Sequence, residues 1–109
     1  MEDYIIVGKA QKTGTPGHQF RSYREAIKMA KSGQYEKVYL NRGYNKITGQ
    51  KVSPNRRPDV AGVRKTGEVD IIEVPSKTDR IDYLIPRNVN AQRQLSPRMR
   101  GNIDVIEIQ

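Results

Sequence analysis

The first forty residues contain three patterns of apolar and polar positions that predict regular elements. Tyr4–Val7 is a short apolar run, which predicts a first or edge strand. Ser22 and Glu25 have the spacing of a capping box, so a helix is expected to begin at Ser22 and to end at Gly33. Tyr35–Leu40 alternates between the two faces that a strand presents. These patterns predict the order β-α-β.

A β-hairpin is predicted at the centre of the chain, and the other elements are arranged around it. Its arms are Asp59–Arg64 and Glu68–Val74, and they are joined by Lys65–Gly67. A three-residue loop with Gly in its last position is typical of a type I turn closed by a left-handed residue. That loop fixes the register. Four pairs then face each other across the strands: Arg64 and Glu68, Val63 and Val69, Ala61 and Ile71, and Asp59 and Glu73.

The predicted register places the carboxylates of Asp59 and Glu73 side by side at the end of an otherwise apolar face. Facing residues have Cβ atoms about 5 Å apart. At an effective dielectric constant of about 20, two negative charges at that distance repel by roughly 3 kcal/mol. A divalent cation bound by both carboxylates removes this repulsion, and oxygen is the ligand that Mg²⁺ prefers. We therefore predict a site for Mg²⁺ or Mn²⁺. Alternatively, Arg56, Arg57 or Lys77 neutralises the pair, or a two-residue loop turns the carboxylates to opposite faces.

The spacing of these residues resembles a known nuclease motif. Asp59 and Glu73 lie on neighbouring predicted strands, with Pro58 before the first acid and Lys77 after the second. This arrangement resembles the PD-(D/E)xK nucleases, the restriction-endonuclease-like superfamily. The lysine of that family usually lies two residues after the acid, where this chain has Pro75. Lys77 has the parity to point to the same face if the strand continues.

Longer stretches resemble the C-terminal toxin domains of bacterial polymorphic toxins, of the contact-dependent growth inhibition and Rhs types. They are Ser53–Val60 and Glu73–Asp79, together with Gly14–Phe20 near the start. The resemblance implies a nuclease toxin domain that is secreted as the C-terminal part of a larger toxin. It also implies action in the cytoplasm of the target cell and neutralisation by a cognate immunity protein, expected to be acidic.

The resemblance implies roles for five side chains in hydrolysis of a phosphodiester bond. Asp59 and Glu73 would bind Mg²⁺ or Mn²⁺, and Glu25, which matches an acid on the first helix of the superfamily, would complete the metal shell. Lys77 would stabilise developing charge or orient the water, with Ser76 as the alternative. From its position in the helical pattern, Glu25 is expected at the border between the buried face and solvent.

A long basic segment, Asn41–Arg57, separates the predicted strand from the hairpin and is predicted to be a loop. It contains no acid and has an aromatic residue, Tyr44, among its cations, which are Arg42, Lys46, Lys51, Arg56 and Arg57. A basic loop with an aromatic side chain is suited to following a phosphate backbone. The alternative is a disordered, solvated loop.

The C-terminal third predicts a second helix and a last strand. Asp79 or Asp82 could cap a helix, but Pro86 interrupts any longer helical run, so the helix is expected to begin near Pro86, a position tolerated in a first turn. On this helix, Gln92 and Arg93 are candidates to reach a phosphate or a metal-bound water. Ile103–Ile108 alternates and predicts the final strand. The predicted fold is α/β, a small mixed β-sheet flanked by helices with a restriction-endonuclease-like core, and residues 1–109 form one domain.

Composition narrows the possible functions. The apolar share is 35%, which predicts a small core, and the absence of Cys excludes disulfides and thiolate metal sites. The sequence contains no run of about 18 apolar residues, so no membrane span is predicted. No signal peptide is visible at Met1. The net charge of +8 favours a polyanionic partner, which could be nucleic acid, an acidic membrane face or an acidic protein. We expect nucleic acid, either DNA or structured RNA such as tRNA; a merely basic surface is the alternative.

Two other functions remain open at this point. His18 is the only histidine and lies in a polar loop predicted over Lys9–Phe20. A metal-independent ribonuclease would use His18 as a general base or as a phosphate contact. The chain would otherwise be a basic nucleic-acid-binding module without catalysis.

Overall fold

The structure is a computed structural model that describes residues 5–10, 17–75 and 80–106. It contains five strands, which are β1 Ile6–Gly8, β2 Tyr35–Leu40, β3 Val60–Arg64, β4 Val69–Glu73 and β5 Arg100–Val105. Its α-helices are α1 His18–Lys31, α2 Tyr44–Thr48 and α3 Ile81–Arg93, and a 3₁₀ turn covers Pro97–Met99. Within these residues, no helix combines the length and apolar character needed to cross a membrane.

The strands form one sheet in the order β1-β2-β3-β4-β5. The outer pairs, β1 with β2 and β4 with β5, are parallel, whereas β3 runs antiparallel to both of its neighbours. Helix α1 packs on β1, β2 and β3, and α3 packs on β5. The predicted fold class, a small mixed β-sheet flanked by helices, is therefore confirmed.

Successive residues of the central strands face two separate clusters, because side chains alternate between the faces of a sheet. One cluster joins the sheet to α1 and includes Ala26, Met29, Val38, Leu40 and Val60. The other joins the sheet to α2 and α3 and includes Tyr44, Ala61, Val69, Ile71 and Ala91. Burial on both faces explains why β3 and β4 contain almost continuous apolar runs.

The hairpin has the predicted register. Val63 pairs with Val69, and Ala61 pairs with Ile71. The backbone N–H of Gly67 donates to the Arg64 carbonyl at 2.8 Å, and Gly67 has a φ of 107°, which L side chains rarely adopt. The three-residue loop is therefore confirmed, together with the pairing that it sets.

Helix α1 begins four residues before the predicted start. Ser22 was expected to cap it, but Ser22 lies inside the helix and is 1% exposed, while Gly17, with a φ of 89°, precedes the first turn. Glu25 is 3% exposed instead of lying at the border with solvent. The inner face of α1 contains polar side chains, including His18, which a pattern of apolar residues does not reveal. The predicted loop over Lys9–Phe20 is wrong for residues 18–20.

Helix α3 begins at Ile81, so the predicted start near Pro86 is also wrong. Pro86 is exposed and lies inside the helix, where its ring removes one hydrogen bond. The helix continues past it because the next turns bury Asn88, Ala91 and Gln92 against the sheet. Packing of a buried face stabilises a helix more than local propensity does.

The segment Asn41–Arg57 is structured and does not form the long loop that was predicted. It contains α2, and the backbone N–H of Tyr44 donates to the Arg56 carbonyl at 2.9 Å. Asn45 accepts the N–H of Val52 at 2.7 Å, and Val52 is 2% exposed. Tyr44 is fully buried, so its ring is not available to stack on a nucleotide base.

At the end of the sheet near the hairpin loop, Asp70 on β4 is hydrogen-bonded to residues of β2, β3 and β5. Its carboxylate accepts hydrogen bonds from the Tyr35 hydroxyl at 2.6 Å, from Arg64 Nε at 2.7 Å and from the Asn102 N–H at 2.9 Å. Burial, followed by the hydrogen bond and charge of Asp70, raises the pKa of Tyr35 from 10.0 to about 12. The protonated phenol is therefore favoured in the folded state.

This shift predicts an alkaline loss of stability. The contribution of a group whose folded pKa exceeds its unfolded pKa is complete below the unfolded value and disappears as the pH rises through the folded value. For Tyr35 that window is pH 10 to about 12. We expect the melting temperature to fall between pH 10 and about pH 12, and to fall less in Tyr35→Phe. Tyr83→Phe, which alters an exposed ring, should follow the parent; an identical fall in Tyr35→Phe would contradict this assignment.

Candidate functional site

The candidate site lies where β3 begins and β4 ends. Asp59 directly precedes β3, and Glu73 is the last residue of β4. The Asp59 N–H donates to Glu73 Oε1 at 3.2 Å, and the Val74 N–H donates to Asp59 Oδ2 at 2.8 Å. The two acidic residues are therefore neighbours across the hairpin, as their predicted register requires.

Glu73 is held by a chain of buried polar groups that ends at α2. Its side chain is 2% exposed, and its Oε2 accepts from Asn88 Nδ2 at 2.8 Å. Asn88 in turn accepts from the Tyr44 hydroxyl at 2.7 Å and donates to the Leu84 carbonyl at 2.8 Å. Burial, reinforced by the charge of Glu73, raises the pKa of Tyr44. The phenol therefore stays protonated and fixes the orientation of Asn88, which fixes Glu73.

A cation from α3 also reaches the buried carboxylate. Arg87 Nη2 lies 3.3 Å from Glu73 Oε2, and the Arg87 side chain is 33% exposed. The sequence-based alternative to a metal named Arg56, Arg57 or Lys77 as the cation that neutralises the two carboxylates. It did not name Arg87. Arg57 instead donates to the Asn41 carbonyl at 2.9 Å.

A prediction of a longer helix, beginning before Pro86, would have placed Arg87 and Asn88 on the face of α3 that contains its buried residues. Leu84, Arg87, Asn88, Ala91 and Gln92 are spaced along one helical face. Ending the helical pattern at Pro86 concealed that spacing. The two residues that contact Glu73 from α3 were missed for this reason.

His18 contacts the other acidic residue. As the first residue of α1, it places Nε2 at 3.2 Å from Asp59 Oδ1, and the whole residue is 4% exposed. His18 Nδ1 is buried and has no hydrogen-bond partner among residues 5–10, 17–75 and 80–106. The imidazole is therefore part of the site and is not a surface group in a loop.

Glu25 lies on the same helix but is not brought into the site. It forms ion pairs with Arg21 Nε at 3.1 Å and with Lys28 Nζ at 3.7 Å. It follows His18 by two helical turns, about 10 Å along the axis. In the described part of the chain, no three His, Cys, Asp or Glu residues are grouped as a metal site. Two further predicted catalytic residues, Ser76 and Lys77, lie outside the described residues.

Asp59 and Glu73 supply carboxylate oxygens, which is the donor type that a hard divalent ion prefers. Mg²⁺ is commonly bound by one or two carboxylates, with water and substrate phosphate completing its six positions. Of the two Glu73 oxygens, Oε1 accepts a hydrogen bond from the Asp59 N–H, whereas Oε2 is contacted by both Asn88 and Arg87. Arg87 is the group with which such an ion would compete at Glu73 Oε2.

Most of the predicted phosphate-binding cations are accessible to solvent. Lys46, Lys51, Arg56, Arg57 and Arg93 are exposed, and Arg42 is partly exposed. Gln92 is different, because it is 5% exposed, donates to the Val69 carbonyl at 2.9 Å and accepts from the Gly101 N–H at 3.1 Å. Gln92 therefore joins α3 to the edge of the sheet and is not positioned to reach a phosphate.

Comparisons with known proteins identify no relative from which a function could be transferred. No protein-family model, no curated protein and no solved structure matches this chain. The resemblance to the PD-(D/E)xK nuclease toxins rests on the residues quoted above and remains a prediction.

Proposed function

We propose that this chain is a metal-dependent endonuclease that hydrolyses phosphodiester bonds in DNA or in structured RNA such as tRNA. The observation that carries the proposal is the placement of Asp59 and Glu73 as neighbours at the end of the hairpin. Both acids are largely buried, and two carboxylates at such positions need a cation nearby, a role that Arg87 fills at Glu73 in this structure. A strongly basic chain that buries an acidic pair fits a site that binds metal and phosphate together.

The proposed site assigns a separate task to each group. Asp59 and Glu73 hold Mg²⁺ or Mn²⁺, and Asn88 keeps Glu73 oriented toward that position. When bound, such an ion polarises a phosphoryl oxygen and lowers the pKa of bound water. Lys77, or Ser76 in its place, would stabilise the charge that develops on the phosphate.

The exposed cations hold the nucleic-acid backbone in this proposal. Arg42, Arg56 and Arg57 are close to the site in the chain, and the Asn41 N–H donates to the Asp59 carbonyl at 3.0 Å. The Lys46, Lys51 and Arg93 side chains extend the basic surface over α2 and the end of α3. Contacts to phosphate position a substrate without identifying its sugar.

Binding to nucleic acid is therefore expected to weaken steeply with salt. A site that contacts about 4–6 phosphates gives a log–log slope of roughly −4 to −5 on duplex DNA. Fluorescence anisotropy with a labelled duplex in EDTA, across a series of NaCl concentrations, measures the slope without cleavage. A flat dependence would mean that the charge of +8 serves another partner, such as an acidic protein.

The wider proposal follows from the resemblance to polymorphic toxins. The domain would be delivered as the C-terminal part of a larger toxin and would act in the cytoplasm of the target cell. An acidic immunity protein that covers the Asp59–Glu73 site would neutralise it. Loss of protection after reversal of the acidic charges of such a protein would support this part of the proposal.

One assay tests the enzymatic proposal directly. Purified domain is incubated with plasmid DNA and, separately, with total tRNA, in Mg²⁺, in Mn²⁺ and in EDTA. Cleavage that requires the ion supports the metal-dependent nuclease, and the substrate that is cut identifies the nucleic acid. The same degree of cleavage in EDTA would contradict it.

A second candidate is a metal-independent ribonuclease, which the contact between His18 and Asp59 favours. If Nε2 donates to Asp59, Nδ1 is left as the proton acceptor, and this atom has no described hydrogen-bond partner. Because Nδ1 is buried, however, a ribose hydroxyl would reach it only after the helix start moves. EDTA leaves this activity intact but stops metal-dependent cleavage, which separates the two mechanisms.

A further inference from the structure

Glu73 needs a positive partner whether or not a metal is bound. Its side chain is 2% exposed, and an ionised carboxylate removed from water is costly unless it is paired and hydrogen-bonded. Among the described residues, Arg87 is the cation that lies within ion-pair distance of it, at 3.3 Å. Arg87 therefore occupies the electrostatic role that a divalent ion fills in the proposed nuclease.

The contact between Arg87 and Glu73 is longer and involves fewer hydrogen bonds than arginine usually forms with a carboxylate. Charge-assisted N–H···O bonds are usually about 2.7–2.9 Å long, and arginine often binds a carboxylate through two nitrogens. Here a single nitrogen, Nη2, contacts Oε2 at 3.3 Å. Arg87 Nε is buried and has no hydrogen-bond partner in the described ranges. Much of the donor capacity of this guanidinium is consequently not used by Glu73.

Asn88, on the same helix, behaves differently. It is 0% exposed and bonds Glu73 Oε2 at 2.8 Å, with its own position set by Tyr44 and Leu84. A neutral amide does not repel an incoming cation, so this bond is compatible with a bound metal. A guanidinium at the same oxygen repels the metal, because like charges a few ångströms apart are strongly unfavourable in a partly buried site. One-third exposure gives Arg87 a route toward solvent.

We propose that Arg87 is an exchangeable counter-ion of Glu73 and the phosphate-binding residue of this site. It neutralises Glu73 until a divalent cation binds to the Asp59–Glu73 pair. It then turns away from the carboxylate, and its planar N–H groups bind a phosphate of the nucleic-acid backbone. The inference rests on the proposed function, because it requires that the acidic pair binds a metal.

The test compares Arg87→Gln with the parent and with Arg98→Gln. Arg98 lies in the exposed 3₁₀ turn, so its substitution removes the same charge away from the site. Isothermal titration calorimetry with MnCl₂ alone measures metal affinity, and cleavage of the substrate at saturating Mn²⁺ measures activity. Arg87→Gln should bind Mn²⁺ about fivefold more tightly, since a competing cation is gone. Its cleavage rate should fall about tenfold or more, since the phosphate contact is lost. Arg98→Gln should change neither.

Each alternative result has a distinct meaning. Unchanged or weaker Mn²⁺ binding in Arg87→Gln would overturn the exchange, because a purely structural ion pair predicts a lower melting temperature without tighter binding. If Arg87→Gln does not fold in EDTA, Mn²⁺ should restore the fold by replacing the missing charge, and failure to do so also overturns the proposal. A parent that binds no Mn²⁺ would refute the proposed metal-dependent function itself.

Discussion

Glu73→Gln is expected to reduce cleavage by about 100-fold or more and also to destabilise the domain. Gln cannot supply the charge that holds a divalent ion, and even groups that only support metal ligands cost about 10–100-fold when removed. The substitution also leaves Arg87 beside a neutral side chain. Breaking a fully buried pair costs about 3–5 kcal/mol. Because Arg87 is 33% exposed and water screens it, we expect about 1–3 kcal/mol.

The expected effect on stability has the opposite sign from the one that the sequence alone suggests. A bare Asp59–Glu73 pair predicts that Glu73→Gln relieves repulsion and leaves the metal-free domain at least as stable as the parent. The contact with Arg87 means that this repulsion is already offset. A thermal melt in EDTA, beside a cleavage assay in Mg²⁺, measures both effects, with exposed Glu36→Gln as the charge-matched control. Unchanged cleavage in Glu73→Gln would remove Glu73 from the catalytic assignment.

Asp59→Ala is expected to abolish cleavage while leaving nucleic-acid binding within about threefold of the parent. Asp59 contributes to both candidate mechanisms, as a metal ligand in one and as the partner of His18 in the other. Binding depends on the exposed cations, which the substitution does not alter. The Val74 N–H and the His18 imidazole each lose an acceptor, so stability should fall by about 1–3 kcal/mol.

Anisotropy in EDTA and cleavage in Mg²⁺, on plasmid and on tRNA, measure the two outcomes for Asp59→Ala. Asp104→Ala alters an exposed carboxylate on β5 and should cleave like the parent. Cleavage that survives Asp59→Ala would contradict both catalytic mechanisms at this site. If parent and variant bind equally and neither cleaves, the chain is a non-catalytic binding module.

The contacts of His18 change how a loss of activity in its variants should be interpreted. Its imidazole contacts Asp59, so His18→Ala disturbs a proposed metal ligand even if the imidazole transfers no proton. In the metal-dependent mechanism His18 is a positioning residue, and excess Mn²⁺ should partly restore cleavage by His18→Ala. In the metal-independent mechanism no ion concentration should restore it. The rescue experiment therefore adds information that an activity measurement alone does not give.

The helix boundaries show where local patterns fail. The start of α1 was expected at Ser22 because Ser22 and Glu25 have the spacing of a capping box, but the helix begins one turn earlier, at His18. The start of α3 was placed at Pro86 because proline disfavours a helix interior. Both helices are extended by tertiary packing, whose energy exceeds the local cost. Errors of this kind concealed Arg87 and the environment of His18.

The sequence by itself determined the hairpin, its register and the adjacency of Asp59 and Glu73. These follow from interactions between residues close in the chain: Gly67 sets the loop, and the two-residue period of a strand sets which side chains meet. Only the tertiary structure decided which groups surround the two carboxylates. His18 and Arg87 come from helices on opposite faces of the sheet, and no local periodicity records how those helices dock.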